Sequence, residues 1–570
     1  MNRREFVRGS AWLAAGALAR SADGTAEAAV RSASVGGRSF HCDDSGLMRV
    51  YEAALQTLAG NVTRVAGYRE PVLVEGSVYH GVWLECAPQE GLVYSQTGMV
   101  AAQAAARNNH RIFFALQKED GQLPCWVRAA TAGSENRKTE RPLGHSAAGH
   151  SAAGRVAAQR ATHGAARTRG GGAGFGQIQM VVPIAATAWE LAQQTGDEEL
   201  LRNAYAACGR WDGWLRKYRD TRGTGLCEGF CTWDTGMDNS PRWAGMPNMC
   251  PEGDARRCPE AAGLPRLCPD LSATVYGGRV ALAAMAKELG KTSEADRWAE
   301  SAQAIRRLIE ERLYDPESGA FYDVDASGRF VRVRSAATLR VLSEHVVGQE
   351  LFEAVWKKQV HNTGAFWAPY PFPSEALDDP TFVRPVVANS WGGAAQALTA
   401  LRAPRWMEFY GKPAELAWMM QQWVSAIRQA GEFRQQMDPM TGEFTQPDPG
   451  GYSPAALALV DFVWRLSGVR GKGELLEWNV RALSDQGRAV FALPLAGKTA
   501  ELRYENGKAE LRLGGRPIAE VEGVVRVMTT REGEVREAVG TGDAEAVVTV
   551  RVAGRPERKI RMRPNGRVRV

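Results

Sequence analysis

The chain has 570 residues, 44% hydrophobic and 24% charged, a balance that suits a globular protein with a large core and room for a second domain. Its net charge of +6, with no Lys/Arg stripe interleaved with aromatics, excludes a nucleic-acid groove as the organising feature. Trp is abundant at 17 copies; it ordinarily fills a core, and it is also the side chain that stacks on the apolar face of a sugar while its N–H donates.

In chain order, residues 1–20 read MNRREFVRGSAWLAAGALAR. Arg3 and Arg4, then Phe6 and a short Ala/Leu/Gly run, resemble a twin-arginine export signal with Ala17-Leu18-Ala19 as a cleavage site. The apolar run is too short to span a bilayer. A signal over 1–28 is therefore expected, with a periplasmic or secreted mature protein that does not insert into the membrane once the signal is removed.

From Gly46 to about Gly468 the pattern is helical, within a domain expected to span 29–470. Segments such as GLMRVYEAALQTLAGNV, MVAAQAAARNNHRIFFALQ, VPIAATAWELAQQTGD and EADRWAESAQAIRRLIEERLYD repeat apolar residues at steps of three and four. Farther on, AELAWMMQQWVSAIRQAG and SPAALALVDFVWRLSG do the same, giving roughly ten to twelve helices joined by Gly, Asp and Pro turns. Several are apolar on more than one face, PIAATAWELA among them, which calls for helices covered by other helices: a two-layered toroid rather than an open solenoid. Residues 137–174 interrupt this with Ala, Gly, Arg and a GHSAA tandem. That composition cannot bury a core, so His145, His150 and His163 belong to a disordered insertion and not to a metal site.

Near Gly471 the period changes to two. KTAELRYENGKAELRLGG alternates on each side of Asn506-Gly507, a type I′ hairpin signal, and the alternation continues to the C-terminus. Residues 471–570 read as a small antiparallel β-sandwich-like domain that covers the helices.

There are nine cysteines, six of them between Cys208 and Cys268. Cys227 and Cys231 lack the CxxC spacing or His cluster of a zinc site, so buried thiols or a disulfide of unassigned connectivity are expected. YDVDASG (322–328) covers part of a carboxylate loop of the kind that holds Ca²⁺.

Polar residues recur in loops at helix ends with Trp nearby. CTWDTGMDNSPRW (231–243) is the densest, setting Asp234 and Asp238 among Asn239, Arg242, Trp233 and Trp243. QKEDGQLPCW, GFGQIQMVVP, NSWGG and FRQQMDPMTGEF add Gln117, Asp120, Gln179, Asn389, Trp391 and Gln435. Loops from one end of a helical toroid converge on its funnel, and stacking Trp with Asp, Asn and Arg for hydroxyls is what a sugar pocket requires.

WDTGMDNSPRW resembles the W-E-S-G-M-D-N-S-P-R signature of glycoside hydrolase family 63 and the related mannosylglycerate hydrolase-like and trehalase families. QKEDGQLP, GFGQIQMVVP, CPDLSATVYGG and GYSPAALAL resemble other strips of that family in the same order. The resemblance implies a mainly α fold, an (α/α)6 toroid, with an inverting, exo-acting site for α-glucosides or α-mannosides, mannosylglycerate-like substrates included, and no metal or cofactor. By the same resemblance Asp238 is the general acid, with Trp233, Asp234, Asn239, Arg242, Trp243, Gln117, Asp120, Gln179, Asn389 and Trp391 lining the sugar subsite. Inverting hydrolysis needs a second carboxylate about 6.5–9.5 Å away to activate water. At the family's base position this chain has Gln435, whose amide cannot accept a proton at neutral pH. A relocated base, Asp438, Glu443 or Glu432, keeps the hydrolase reading. An inverting phosphorylase, with Arg384 or Arg242 for phosphate, and a non-catalytic glycan-binding protein are the alternatives.

Overall fold

The computed structural model describes residues 33–35, 38–128, 172–386, 389–446, 450–483 and 487–570. The expected signal (1–28) and nearly all of the low-complexity segment lie outside them. The segment's last residues, Gly172–Gly174, form a strand beside Trp126–Arg128.

Twelve α-helices are present among the described residues: α1 Ser45–Gly60, α2 Ala87–Ser95, α3 Ala102–Ala115, α4 Ile184–Thr195, α5 Glu198–Tyr218, α6 Pro269–Glu288, α7 Thr292–Arg312, α8 Ala337–Ser343, α9 Gln349–Val355, α10 Ala397–Phe409, α11 Pro413–Ala430 and α12 Ser453–Ser467. Their ends carry local signals. Asp44 and Asp197 accept from the Leu47 and Leu200 amides to cap α1 and α5, and Gly196 and Gly431 adopt left-handed conformations after α4 and α11.

Alternate helices differ in burial, as the apolar-all-round segments anticipate. In α2 and α8 every residue is buried, and in α12 all but Arg465. In α7, by contrast, only Ala295, Ala302, Ile305 and Ile309 are buried, along a single stripe. The even-numbered helices pack in sequence, α2 on α4, α4 on α6, then α8, α10 and α12, and α12 returns to α2. Odd-numbered helices lie outside: α3 against α2, α5 against α4 and α6, α7 against α6, α1 and α11 against α12. No helix among the described residues is long and apolar enough to cross a membrane.

From Val469 onward the chain forms two antiparallel sheets whose apolar faces join one core. The Asn506-Gly507 turn links strands Lys498–Glu505 and Lys508–Leu513, with φ of +50° and +81°, which is the hairpin the sequence calls for. One join is unexpected. Strand Arg38–Cys42, from the stretch assigned to the helical domain, pairs with Arg488–Leu495, and Phe40 stacks on Phe491 at 4.6 Å and meets Tyr51 of α1 edge-on at 4.9 Å. Arg526 completes the seam by a bidentate bond to Glu408 of α10, both at 2.7 Å.

Candidate active site

The loop from Cys231 to Cys250 sits at one end of the helical layer. It opens with a 3-10 turn, Thr232–Asp234, and holds a second, Pro241–Trp243, capped by the Ser240 hydroxyl. Between them Gly236 has φ +61°, and a Cβ there would fall 1.6 Å from Glu85 Oε2, so only glycine lets this carboxylate approach the loop.

Asp238 is half-buried, and its contacts include two neutral groups. Asn389 Nδ2 donates to its Oδ2 at 2.8 Å, and the Trp391 amide donates to its carbonyl at 3.0 Å. Asn239 returns a bond to the Asn389 carbonyl at 2.7 Å. Asn389 also receives Gln435 Nε2 at 3.2 Å and gives its own amide to Gln446 Oε1 at 2.9 Å, while Tyr79 donates to Gln435 Oε1 at 2.8 Å. Three strips that are far apart in sequence, 238–239, 389–391 and 435–446, thus meet around one carboxylate.

Two acids the sequence reading missed, Glu75 and Glu85, lie within charge range of Asp238, and Glu90 lies beside them. Glu75, Glu85 and Glu90 are buried, the last completely. Burial pushes the Glu75 and Glu85 carboxyls up to about 8, and the charge of Asp238 adds to the rise of both. Burial likewise lifts Glu90 to about 8. Tyr452 donates to Glu75 at 2.6 Å. The nearby cations point elsewhere: Arg402 donates to the Glu85 carbonyl at 2.6 Å, and Arg340 to the Thr235 carbonyl at 2.6 Å while lying over the Trp391 ring. One half-exposed carboxylate therefore stands within charge range of buried carboxyls that keep their protons near neutrality. The signal was present in VLVEGSVYHGVWLECAPQE, where three glutamates interrupt an otherwise apolar and aromatic run.

Several residues read as sugar contacts are instead spent inside the protein. Asp234 is fully buried and pairs with Arg219. Its oxygens also accept from the amides of Ile178, Phe230 and Cys231. Arg242 is clamped by Asp270 and Asp323 at 2.5–2.8 Å. Burial alone would raise the Asp270 carboxyl, but the Arg242 charge outweighs it and holds that carboxyl below its usual range. Trp243 is buried with its N–H on Thr235. Gln117 and Asp120 turn to α5, bonding the Ala207 carbonyl and the Trp214 indole. Gln179 is buried beside Gln177 with φ +41°, and Trp233 is half-buried.

The expected replacement bases have contacts of their own. Asp438 accepts from the Met440 amide at 2.7 Å in a tight turn near Arg384, Glu443 is exposed, and Glu432 pairs with Arg434. Arg242, offered for phosphate, is consumed by its two aspartates. The calcium loop does not form: Asp323 is taken by Arg242, and Asp325 closes a turn onto Ser327 and Arg329.

Residues 97–464 match the model of the mannosylglycerate hydrolase MGH1-like glycoside hydrolase domain. The chain belongs to this family. It is accordingly a glycoside hydrolase in family and fold. No curated protein matches it in sequence. Among solved structures it is similar to the GH63 mannosylglycerate hydrolase of Thermus thermophilus in complex with glucose, at 21% identity and TM-score 0.53, over 72% of this chain and 99% of that one. The same enzyme with Tris and D-glycerate gives 20% identity and TM-score 0.54 over the same shares. A GH78 rhamnosidase of Bacillus sp. GL1 is similar at 15% identity and TM-score 0.53, over 84% of this chain but 41% of that one. At these identities the likeness speaks for the fold.

Proposed function

We propose that this member of the MGH1-like family is an exo-acting, inverting hydrolase of α-glycosides, an α-mannoside or α-glucoside of the mannosylglycerate kind. In this reading Asp238 gives its proton to the departing oxygen, and Glu85 activates water in place of Asp438 or Glu443. The carrying observation is the half-exposed Asp238, fixed by Asn389, with Glu85 packed against Gly236 of the same loop and close enough to feel its charge. Glu75 is the poorer base because its Oε1 already accepts from Tyr452. The reading includes an (α/α)6 count, supported by the six even-numbered helices that close on one another. It also includes a toroid spanning 29–470 with a β domain over 471–570, and twin-arginine export, supported by Arg3-Arg4 and the apolar run after them.

Inverting chemistry needs one carboxyl protonated and one ionised. The two interact, so the pH–rate profile reports values belonging to the pair. Burial raises Glu85, and an ionised Asp238 would raise it further, so kcat/KM rises with pH as the base ionises while Asp238 keeps its proton. The test uses Asp238→Asn and Glu85→Gln on aryl and alkyl α-glycosides. Asp238→Asn loses about 10²–10⁴-fold on alkyl leaving groups and less on aryl groups that depart unprotonated. Glu85→Gln is inactive until azide is added, and then yields the glycosyl azide of inverted configuration. Unchanged turnover in Asp238→Asn overturns the assignment of the acid, and wild-type protein that binds these glycosides without cleaving any overturns the reading in favour of a glycan-binding protein. Gln435 supports a second reading, because a neutral amide at the base position tolerates phosphate: a phosphorylase releases sugar 1-phosphate when inorganic phosphate is supplied, and a hydrolase does not.

A further inference from the structure

Cys231 and Cys250 stand at the two ends of the loop that carries Asp238, and the backbone already runs those ends side by side. The Thr232 amide donates to the Pro247 carbonyl at 2.9 Å, and the Trp233 amide to the Asn248 carbonyl at 3.1 Å. One residue before Thr232 and two beyond Asn248, the two sulfurs lie 3.8 Å apart, both buried and packed with Phe230. From this geometry we infer that Cys231 and Cys250 form a disulfide that closes the base of the Asp238 loop when the folded chain meets a disulfide oxidant.

Bond formation asks the sulfurs to move from 3.8 Å to about 2.05 Å, within reach of side-chain rotation once the backbone ends are fixed. The rival reading, a metal held by Cys231, Asp234 and Cys250, fails on charge. Asp234 is consumed by Arg219 and three backbone amides, and Arg219 Nη2 lies 3.7 Å from Cys250 Sγ, so an added cation would sit against a guanidinium. Cys258 packs on the same cluster from its edge but donates to the Pro259 carbonyl.

The step balances with a small-molecule disulfide such as oxidised glutathione. One cysteine, as thiolate, attacks it and expels one glutathione thiolate. The second attacks the mixed disulfide and expels the other, so two protons leave the protein and the oxidant becomes two thiols. Burial raises the Cys231 thiol well above its usual range, which slows exchange in the folded state. The bond would act on the site by position. Cys231 and Phe230 supply amides to Asp234, so the link ties the start of the Asp238 loop to its end, and it cross-links a short segment of the unfolded chain.

The experiment takes the full chain, reduces it with dithiothreitol, and equilibrates it in glutathione buffers from fully reduced to fully oxidised, both folded and during refolding from urea. Acid quench, alkylation in denaturant and intact mass follow, with peptide mapping. The expected result is two of the nine cysteines protected at the oxidised end and a linked peptide joining 231 to 250. The link is lost in Cys231→Ser and Cys250→Ser and kept in Cys258→Ser. Nine alkylated cysteines in both arms, glutathione adducts without an internal link, or a link through another cysteine overturns the inference. The readout is independent of any glycosidase activity, so failure here leaves the functional reading untouched.

Discussion

Asp234→Asn separates a brace from a sugar contact. Asp234 and Arg219 are both 0% exposed. The carboxylate accepts from both guanidinium ends and from the Ile178, Phe230 and Cys231 amides at 2.8, 2.7 and 3.3 Å. Asparagine offers one acceptor oxygen to that set and turns two donors of its own toward it. Removing one member of a buried ion pair costs about 3–5 kcal/mol, because the surviving charge stays buried without compensation. Amides left without an acceptor add about 1–3 kcal/mol each where the loop cannot relax, so a loss near the top of the first range is expected. Urea unfolding followed by far-UV circular dichroism should show a much lower midpoint, while Asp238→Asn, in the same loop, stays close to wild type. Replacing both partners by apolar residues should cost less than the two single changes added together. An Asp234→Asn protein with wild-type stability and only a raised KM would refute the assignment and return Asp234 to the sugar.

Three other outcomes follow from the same contacts. Gly236→Ala places a methyl 1.6 Å from Glu85 Oε2 at a φ of +61°, so Glu85 must move; a fall in kcat/KM of about 10²-fold with an unchanged circular dichroism spectrum is expected, and an unchanged rate rules Glu85 out of the chemistry. Glu75, Glu85 and Glu90 rise from 4.5 to about 8, so the native state holds protons that the unfolded chain has already released, and their stabilising contribution is fully present below about 4.5 and lost as pH rises through about 8. The slope approaches about 1.4 kcal/mol per pH unit for each such proton, and Glu90→Gln should flatten it in urea titrations between about pH 5 and 8, whereas a flat wild-type curve contradicts the raised values. Asp438→Ala and Glu443→Ala should keep kcat/KM within about three-fold, since one closes a turn and the other faces solvent; a loss near 10²-fold in either would restore it as base.

The fold was legible wherever a helix had one wet face or a strand one dry one. α7 and the Asn506-Gly507 hairpin follow directly from period and turn chemistry. α2 and α8 did not, because helices of nine and seven residues that are buried all round leave no amphipathic period to read. That gap also hid part of the site: Glu90 lies on α2 and Glu85 just before it. Asp238, Asn389 and Gln435 were legible from the strips that the structure joins. That Asp234, Arg242 and Trp243 turn inward was not legible, because a motif records which residues stand together and not which of them face inward; their partners, Arg219, Asp270, Asp323 and Thr235, lie outside the motif or on its far side.

Electrostatic pairing sorts the carboxylates at this end of the fold into two kinds, and the sorting carries chemical consequences. Asp234, Asp270 and Asp323 each lie against a buried arginine, and for Asp270 the Arg242 charge outweighs burial and holds the carboxyl below its usual range. They are braces, their oxygens already engaged by guanidinium groups. Asp238 accepts from the neutral amide of Asn389 and Glu75 from the hydroxyl of Tyr452, while neither oxygen of Glu90 meets an N–H or O–H donor among the described residues. Burial holds Glu75 and Glu90 up to about 8, against the pull of the Tyr452 hydroxyl on the first and of the Arg402 charge on the second, so both keep their protons near neutrality. Arg340 touches both sets, since it bonds Asp270 at 3.2 Å and also donates to the Thr235 carbonyl just before Gly236. The arginine-clamped acids therefore fix the backbone on which the proton-holding acids are arranged; changes to the first kind should lower the unfolding midpoint itself, while changes to Glu75, Glu85 or Glu90 should alter how stability, and for Glu85 also rate, depends on pH.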